Sequence, residues 1–391
     1  MRFRTGLVVC AVALGLAVPQ AAGAAGLYVA LGDSYTAGPL IPNQVGTPRD
    51  CARSDRNYPS VTAAALGLTL RDVSCSSAQT KHMANPQPNL PAGGTNPPQF
   101  NGVTPEAAVV TVGIGGNDAG LVGVGEKCAQ LGATQPNGRA CREFYTAGGR
   151  DRVKEKIDEA APKVAAVLQG IHLRAPTARV AIVGYPAVAP TDGTGCYPMV
   201  PLSPDDLAYI NELLVRINAM IAEQAQANDA EYVDTYTASI GHDVCKLPPT
   251  RWFEGLAPTE PSFPLHPNAQ GEASMGRSTI AVLRGPRPAP RAPVASGLRM
   301  DRAPLRVGPP PRFTFSLNRA ATATITVQRR VGNKRYGPVR RVAVRALPAG
   351  PARVSVARSA LGRLRGAYKL TVTPAAAGVT GIPVALRFHL R

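Results

Sequence analysis

Short apolar runs alternate with segments of helical periodicity along the first two thirds of the chain. The apolar runs predict five strands, over residues 27–31, 69–74, 107–112, 179–183 and 231–234. Residues 151–171 and 203–221 carry apolar side chains at helical spacing, and a last helix is predicted over 268–283. This alternation of strands and helices favours an α/β fold in which helices cover both faces of a parallel sheet.

Proline and capping residues sharpen two of these predictions. Ser203 precedes Pro204 and two acids, which is typical of a helix that starts there. Pro162 interrupts the helical pattern of 151–171 and predicts a kink.

Two long segments fit neither the helical period nor the strand period. We expect 80–100 to form a wall of the binding cleft, and we expect 120–149, with Cys128 and Cys141, to be a loop held by a disulfide.

The pattern changes after residue 284. Residues 285–312 are rich in Pro and Arg, which indicates an extended linker. Beyond it, alternating apolar and polar positions predict strands over 313–317, 322–330, 340–345, 353–357, 368–373 and 384–390. Residues 313–391 are therefore predicted to form a small all-β module of immunoglobulin-like type.

Charge separates the two parts of the chain. Residues 285–391 hold 21 Lys and Arg against one acid, Asp301, a net charge of +20. The remaining 22 basic and 24 acidic residues give −2. The charge of this module predicts an anionic cell-envelope polymer or lipid head groups outside the cell as its partner. A solvated spacer is an alternative of at least equal weight. The arginines are accompanied by no aromatic stripe or RNA-binding signature, so no nucleic-acid partner is expected.

The N-terminus and the cysteines indicate export. Arg2 and Arg4 precede an apolar stretch, and small residues up to Ala24 offer a cleavage site, so residues 1–24 are predicted to be a signal peptide. Outside this segment the chain has six cysteines, whose scattered spacing favours disulfides over a zinc site. Six cysteines allow 15 pairings, and spacing does not choose among them.

Ser34 is the first candidate for chemistry. It follows the strand predicted over 27–31, where the chain is expected to turn into a helix. A hydroxyl at such a turn is exposed, and the helix N-terminus favours developing negative charge, as a serine nucleophile requires. Asp and Ser before a helix are also ordinary caps, so this motif alone does not decide.

Two further polar positions follow predicted strands. Asn117, in a Gly-rich turn, has an amide that can donate to an oxyanion, and Ser77 has a backbone N–H that can do the same. Whether Ser76 or Ser77 donates stays open. Because ligands bind at the carboxyl ends of parallel strands, we expect these groups to converge with Ser34. His266, at a loop-to-helix junction, is the candidate base, and His242, beside Asp243, is its competitor.

At these residues the chain resembles the SGNH (GDSL-type) hydrolases. Gly32-Asp33-Ser34 matches the nucleophile block, Gly115-Gly116-Asn117-Asp118 the oxyanion block and His266-Pro267-Asn268 the base block. The resemblance spans about 27–284 and is strongest to the secreted actinobacterial esterase/lipase branch. It implies a flavodoxin-like three-layer hydrolase domain over 25–284, with no cofactor and no metal. It also implies the disulfides Cys51–Cys75, Cys128–Cys141 and Cys196–Cys245.

The chain departs from the family pattern at two positions. Phe263 stands where the family often has the Asp that orients the histidine. We therefore expect a Ser34–His266 dyad in which the Phe263 carbonyl accepts from Nδ1–H, while Glu260 and Asp243 remain alternative partners. Ser77 stands where the family usually has Gly; its N–H is kept, and its side chain is expected to narrow the acyl pocket.

The resulting hypothesis is a secreted, monomeric carboxylic ester hydrolase that works through an acyl-enzyme. Ser34, Ser77 and Asn117 form the oxyanion hole, and activity falls near pH 6.5 if the pKa of His266 is unperturbed. The substrate is a lipid or an acylated polymer. The alternatives are a polysaccharide acetyl esterase and, in a different class, a non-catalytic envelope-binding protein.

Overall fold

The computed structural model describes residues 25–289, 292–301, 310–319, 321–332, 335–348, 350–361, 366–376 and 378–390. The predicted signal peptide, residues 1–24, lies outside the described residues. The described chain forms an α/β domain followed by a β module. None of the helices described is long and apolar enough to cross a membrane.

A five-stranded parallel sheet forms the centre of the α/β domain. The strands of this domain are β1 Leu27–Gly32, β2 Gln44–Val45, β3 Arg53–Ser54, β4 Thr69–Asp72, β5 Ala107–Gly113, β6 Arg179–Val183 and β7 Glu231–Val233. Strands β2 and β3 pair only with each other, and the other five form the parallel sheet. The order β4-β1-β5-β6-β7 is the flavodoxin-like order of a doubly wound sheet. The predicted three-layer α/β fold is confirmed.

Helices cover both faces of this sheet. They are α1 Ser34–Ala37, α2 Tyr58–Leu66, α3 Gly116–Ala119, α4 Leu121–Gly132, α5 Ala140–Thr146, α6 Arg152–Arg174, α7 Pro204–Ala227 and α8 Ala269–Arg284. Alternate residues of a strand face opposite layers. In β6, Val180 and Ile182 join the core beneath α6 and α7, whereas Ala181 and Val183 pack towards α2 and α8.

One prediction within this domain needs correction. Residues 120–149 are largely helical rather than a loop, because α4 and α5 both lie there and Cys128–Cys141 joins them. Glycines at 123, 125 and 132 obscure the helical period, and packing of Val124 and Cys128 into the core stabilises the helix instead. The α6 helix runs from Arg152 to Arg174 with Pro162 inside it, and the kink predicted there stays a prediction.

The cysteines outside the N-terminal segment form three disulfides. The pairs are Cys51–Cys75, Cys128–Cys141 and Cys196–Cys245, the same pairs that the family resemblance implies. They close loops with sequence separations of 24, 13 and 49 residues. All three lie in the α/β domain, so covalent cross-linking is confined there.

Two antiparallel sheets pack face to face in the β module. The elements of the module are β8 Ala295–Met300, β9 Arg312–Leu317, β10 Ala321–Arg329, β11 Arg340–Leu347, β12 Gly350–Ser355, α9 Arg358–Leu361, β13 Gly366–Ala376, β14 Val379–Thr380 and β15 Val384–Leu390. One sheet has the order β12-β9-β8, and the other contains β11-β10-β13 with β14 and β15 on β13. Strand β8 falls within the predicted linker 285–312, because its pairing with β9 is a long-range contact that composition does not reveal.

The module contacts the α/β domain at the amino-terminal edge of the parallel sheet. Arg319, just before β10, forms an ion pair with Asp229, just before β7. Arg287 in the linker donates to the carbonyls of Thr177 and Ala178, which precede β6. The carboxyl ends of the parallel strands lie at the opposite edge, so the module leaves that edge free.

Candidate active site

Ser34 and His266 meet at the carboxyl edge of the sheet. Ser34 is the first residue of α1, directly after β1, and its Oγ lies 2.7 Å from His266 Nε2. The two residues are 232 positions apart in sequence and almost fully buried, with 6% and 2% of their surfaces exposed. The predicted nucleophile and base are thus within hydrogen-bond distance, which is the geometry that proton transfer between them requires.

The acceptor for the other histidine nitrogen differs from the prediction. Nδ1 of His266 lies 2.8 Å from the carbonyl oxygen of Pro264, not of Phe263. The Phe263 carbonyl instead accepts from the backbone N–H of His266 and from Ser262 Oγ. Leu265 adopts a left-handed conformation, with φ of 62°, and this turn lies between the Pro264 carbonyl and the Nδ1 atom that it contacts. Phe263 contributes its ring, which packs edge-on against His266 at 5.3 Å between centroids.

The carbonyl of Pro264 fixes the tautomer of His266. A carbonyl only accepts, so Nδ1 carries the proton and Nε2 presents a lone pair to Ser34. Burial lowers the pKa of His266 to about 4, although the bond to Pro264 opposes this shift. The imidazole is therefore neutral at pH 7, as a base must be before it accepts a proton.

Other acids and histidines weighed from the sequence do not reach His266. Asp243 is buried and accepts from the backbone N–H of Cys245, and Glu260 is exposed. His242 stacks on Trp252 with 3.3 Å between ring centroids, and its Nδ1 lies 2.7 Å from Thr250 O. These contacts give Asp243 and His242 structural roles in the 242–252 loop.

Asp33 is a buried carboxyl group that the motif analysis left without a role. Its Oδ1 accepts from the N–H of Tyr35 at the start of α1, and its Oδ2 accepts from the hydroxyl of Tyr185 at 2.6 Å. Burial raises the pKa of Asp33 to about 7, while these hydrogen bonds oppose the shift. Asp33 thus caps the helix that carries Ser34 and connects it to the end of β6.

Tyr185 joins the nucleophile turn to the Asn117 turn. Its hydroxyl oxygen accepts from the N–H of Gly116 at 2.8 Å while its hydrogen goes to Asp33. The Cβ that any other residue would add at Gly116 would lie 2.9 Å from the Tyr185 ring, so glycine is required there. Tyr185 follows β6, and the strand-end rule that selected Ser34 and Asn117 would also have found it.

The two candidate oxyanion donors lie on turns next to Ser34. Asn117 is in α3, and one hydrogen of its Nδ2 goes to the Ala78 carbonyl at 3.0 Å, which leaves the second hydrogen for a ligand. Ser77 has φ of 63°, the left-handed conformation that explains why glycine suits this position. Within the described chain the N–H groups of Ser34 and Ser77 have no protein acceptor.

Side chains from the 79–99 segment hold these turns in place, and sequence reasoning missed them. Gln99 exchanges two hydrogen bonds with the backbone of Gly32, at 2.8 and 2.9 Å. Thr80 donates its N–H and its hydroxyl to Asp118, and Gln79 donates to the Asn117 carbonyl. Polar side chains in a Pro- and Asn-rich segment carry no periodic signal, so only the folded structure identifies these partners.

An apolar cleft opens beside Ser34. It holds about 910 Å³ of empty space, including its open mouth, and its walls come from α4, α7 and the 185–202 segment. Aliphatic residues such as Val124, Val200, Leu207 and Leu214 dominate its lining. Ser77 and the 80–100 segment are not among its lining residues. The narrowing of the acyl pocket by Ser77 and the cleft wall formed by 80–100 stay predictions.

The domain fits relatives that are named as lipases and esterases. A family model described as the GDSL-like Lipase/Acylhydrolase family matches residues 30–273. Lipase 2 of Streptomyces coelicolor is 35% identical over 260 residues, which cover 66% of this chain and 85% of that protein. The matched residues of the family model include Ser34, Asn117 and His266 and end before the β module.

Two solved structures extend this similarity to three dimensions. A phospholipase A1 from Streptomyces albidoflavus is 26% identical with a TM-score of 0.55, and an extracellular lipase from Streptomyces rimosus is 27% identical with a TM-score of 0.54. Each match covers 67% of this chain and 100% of the other chain. In the part of the chain that the structure describes, no group of three or more His, Cys, Asp or Glu could hold a metal ion.

Proposed function

Because this chain belongs to the GDSL-like lipase/acylhydrolase family and is an ester-hydrolysing enzyme, we propose that Ser34 and His266 are its catalytic pair and that it hydrolyses fatty-acid esters. The 2.7 Å contact between Ser34 Oγ and His266 Nε2, at the mouth of an apolar cleft, is the observation that carries this proposal. We also propose a division into two domains. Residues 25–284 contain the catalytic pair and form the catalytic domain, and the β module is a separate domain that does not take part in the reaction.

The reaction starts with proton transfer from Ser34 to His266. As the Ser34 oxygen attacks the ester carbonyl, Nε2 takes its proton and Nδ1 keeps the bond to the Pro264 carbonyl. A carbonyl dipole supports the resulting imidazolium less than a carboxylate would, so the pair is a dyad. His266 then gives the proton to the leaving alcohol, and a water molecule hydrolyses the acyl-enzyme by the same route in reverse.

The tetrahedral oxyanion is held by three donors. These are the N–H of Ser34, the N–H of Ser77 and the second hydrogen of Asn117 Nδ2. Support comes from the absence of a protein acceptor for the two N–H groups in the described structure. The N-terminus of a helix also favours negative charge at Ser34, although α1 has only four residues.

The cleft favours a long acyl chain over acetyl. Apart from polar residues at the Ser34 end, its lining is aliphatic or aromatic, as is typical of a site for an apolar ligand. An acetyl group would leave this apolar surface uncovered, whereas each buried methylene contributes about 0.8 kcal/mol. Relatives that are named as a lipase and a phospholipase also support a fatty-acid ester as the substrate. The polysaccharide acetyl esterase is the weaker alternative.

Export and a monomeric state complete the proposal. Three disulfides fit an oxidising compartment, and the Streptomyces rimosus relative is named as extracellular. Size-exclusion chromatography with light scattering tests the monomer, and N-terminal sequencing of the protein from culture medium tests cleavage after Ala24.

Replacement of the nucleophile tests the catalytic assignment. Ser34→Ala should lower kcat by at least about 10⁴-fold and abolish labelling by a serine-reactive fluorophosphonate. Ser60→Ala, a partly exposed serine on α2, is the matched control and should keep both. Wild-type turnover in Ser34→Ala would overturn the assignment.

A panel of p-nitrophenyl esters from acetyl to palmitoyl tests the substrate class. Gly125 and Leu265 both line the cleft, and a Cβ introduced at position 125 would lie 3.1 Å from Leu265. Gly125→Val should therefore lower kcat/KM for long chains at least about tenfold more than for acetyl. Gly123→Val, on the same helix but in open space, controls for helix propensity. A wild-type enzyme that accepted only acetyl esters would support the sugar-ester alternative.

A further inference from the structure

The β module presents aliphatic and basic side chains together at one end. Strands β10 and β11 are consecutive and antiparallel. We call the described residues between them, together with the first two residues of β11, the hairpin tip: these are 330–332 and 335–341. Val331 and Val339 on this tip are 58% and 62% exposed. Arg335, Arg340 and Arg341 are exposed between and beside them.

The hairpin tip lies at the end of the module that is remote from the α/β domain. Strand β10 begins next to Arg319, whose partner is Asp229 of that domain, and it ends at Arg329 next to the tip. Nine residues of strand separate the two ends, a distance of about 30 Å. The tip therefore projects away from the α/β domain.

Other cations flank the tip, and acids are scarce there. Gln328 on β10 is opposite Lys369, which is opposite Arg387 on β15, so both cations lie at the tip end of the sheet. Asp301 lies at the same end and is already paired with Arg353 at 3.2 Å. For Arg335, Arg340 and Arg341, no carboxylate of the described residues lies within 4.0 Å.

The combination of valine and arginine decides between two kinds of anionic partner. A soluble polyanion attracts the arginines but gains nothing from the valines. At a lipid surface, apolar side chains enter the acyl boundary while cations remain among the phosphates, and both contribute to binding. We propose that the hairpin tip inserts into the surface of an anionic lipid bilayer and tethers the enzyme there.

The tether and the catalytic site face different directions. Asp229 and Thr177 precede their strands and mark the amino-terminal edge of the parallel sheet, whereas Ser34 follows β1 at the carboxyl edge. A bilayer bound at the tip therefore lies on the side of the molecule away from the cleft. The proposal does not depend on the nature of the ester that the enzyme hydrolyses.

Sedimentation of the full chain with vesicles tests the tether. Vesicles of phosphatidylcholine with about 30% phosphatidylglycerol should bind the protein, and pure phosphatidylcholine should not, with binding weakened by salt. The double variant Val331→Ser/Val339→Ser should bind at least about tenfold more weakly. Arg340→Gln/Arg341→Gln should lose about 25-fold, roughly fivefold for each charge.

A matched control distinguishes insertion of the hairpin tip from non-specific adsorption through any exposed apolar side chain. Ile382 is 77% exposed and lies between β14 and β15, at the end of the module near the α/β domain. Ile382→Ser should bind vesicles like the wild type, and circular dichroism melts should show that all variants fold. A tenfold loss in this control as well would overturn the assignment of the tip.

Binding to polyphosphate, a soluble polyanion without an apolar phase, is compared with binding to anionic vesicles to distinguish the two kinds of partner. If the tip inserts, the valine double variant binds polyphosphate normally while losing vesicle affinity. Unchanged vesicle binding in that variant overturns insertion, because charge alone would then explain the adsorption. Binding to polyphosphate without binding to anionic vesicles overturns the lipid partner in favour of an anionic polymer.

Discussion

The α/β domain and the β module use their polar side chains in opposite ways. In the α/β domain, Asp33, His266 and Ser34 are nearly inaccessible to solvent, and each has defined hydrogen-bond partners. In the β module the cations of the hairpin tip, such as Arg340 and Arg341, are exposed. The first arrangement fixes distances between atoms, and the second produces an electrostatic field.

This difference determines how each region responds to change. A buried polar group that loses its partner suffers the full desolvation penalty, so single substitutions in the catalytic domain have large effects. Exposed charges act additively and are screened by salt, so the module should respond gradually. Five predictions test this contrast, starting with the largest expected effect.

Removal of the Asn117 amide should cause the largest loss among these tests. Asn117→Ala should lower kcat by about 10²–10³-fold, because one donor to the oxyanion is lost. KM should change little, since the donor acts mainly on the transition state. Steady-state kinetics check this, with exposed Asn101→Ala as control. A loss below threefold would mean that Asn117 is not an oxyanion donor.

Removal of the Cys51–Cys75 bond should weaken both stability and catalysis. Its loop of 24 residues predicts a loss of about 3.5 kcal/mol in the free energy of unfolding. Ser76 donates its N–H and its hydroxyl to the backbone carbonyl of residue 51, so the turn that carries Ser77 rests on a segment that is held less firmly without the disulfide. Urea unfolding and kcat of Cys51→Ala/Cys75→Ala check both effects. Unchanged kcat at a lower stability would mean that the hydrogen bonds of Ser76 hold the Ser77 turn in place without the disulfide.

Tyr185→Phe should lower kcat by about ten- to hundredfold at similar KM. The hydroxyl joins Asp33 to Gly116, so its loss loosens the distance between Ser34 and the Asn117 turn. Two buried groups left without a partner should also lower stability by about 1–3 kcal/mol. Tyr232→Phe on β7 is the control. A drop in melting temperature with kcat intact would limit Tyr185 to a role in folding.

The pH profile should reveal the burial of His266. A histidine with the ordinary pKa of 6.5 would lose about fivefold in kcat/KM between pH 6.5 and 5.5. Burial lowers the pKa of His266 to about 4, so neutral imidazole persists through this range and kcat/KM should change little. Activity should fall only as the pH drops towards 4. An apparent pKa of 6.5 in kcat/KM would mean that solvent reaches the imidazole.

Truncation after Pro288 should have the smallest effect on turnover. This variant keeps the Arg287 contacts to Thr177 and Ala178 while removing the β module. The match to the Streptomyces albidoflavus phospholipase covers 67% of this chain and 100% of that chain. We expect kcat/KM for a soluble ester within about twofold of the full chain. Loss of soluble-ester activity would contradict the division into two independent regions.

Sequence patterns predicted much of the catalytic domain because its signals are local. The alternation of apolar runs with helical periods located the five parallel strands, and the order of three motifs identified the family. The failures share one cause. Helices α4 and α5 contain several glycines or small residues and depend on tertiary packing, and β8 becomes a strand only by pairing with β9.

By itself the sequence determined which chemical groups are present and in which order: a serine after β1, an asparagine after β5, a histidine before α8 and a basic C-terminal module. Tertiary structure alone decided their partners. The Pro264 carbonyl, rather than Phe263, orients His266, because Leu265 adopts a left-handed backbone conformation. The Tyr185 hydroxyl connects Asp33 to Gly116 because the end of β6 lies next to the turn that carries Ser34 and the turn that carries Asn117. Such contacts depend on dihedral angles and on distant chain segments, which composition and spacing do not encode.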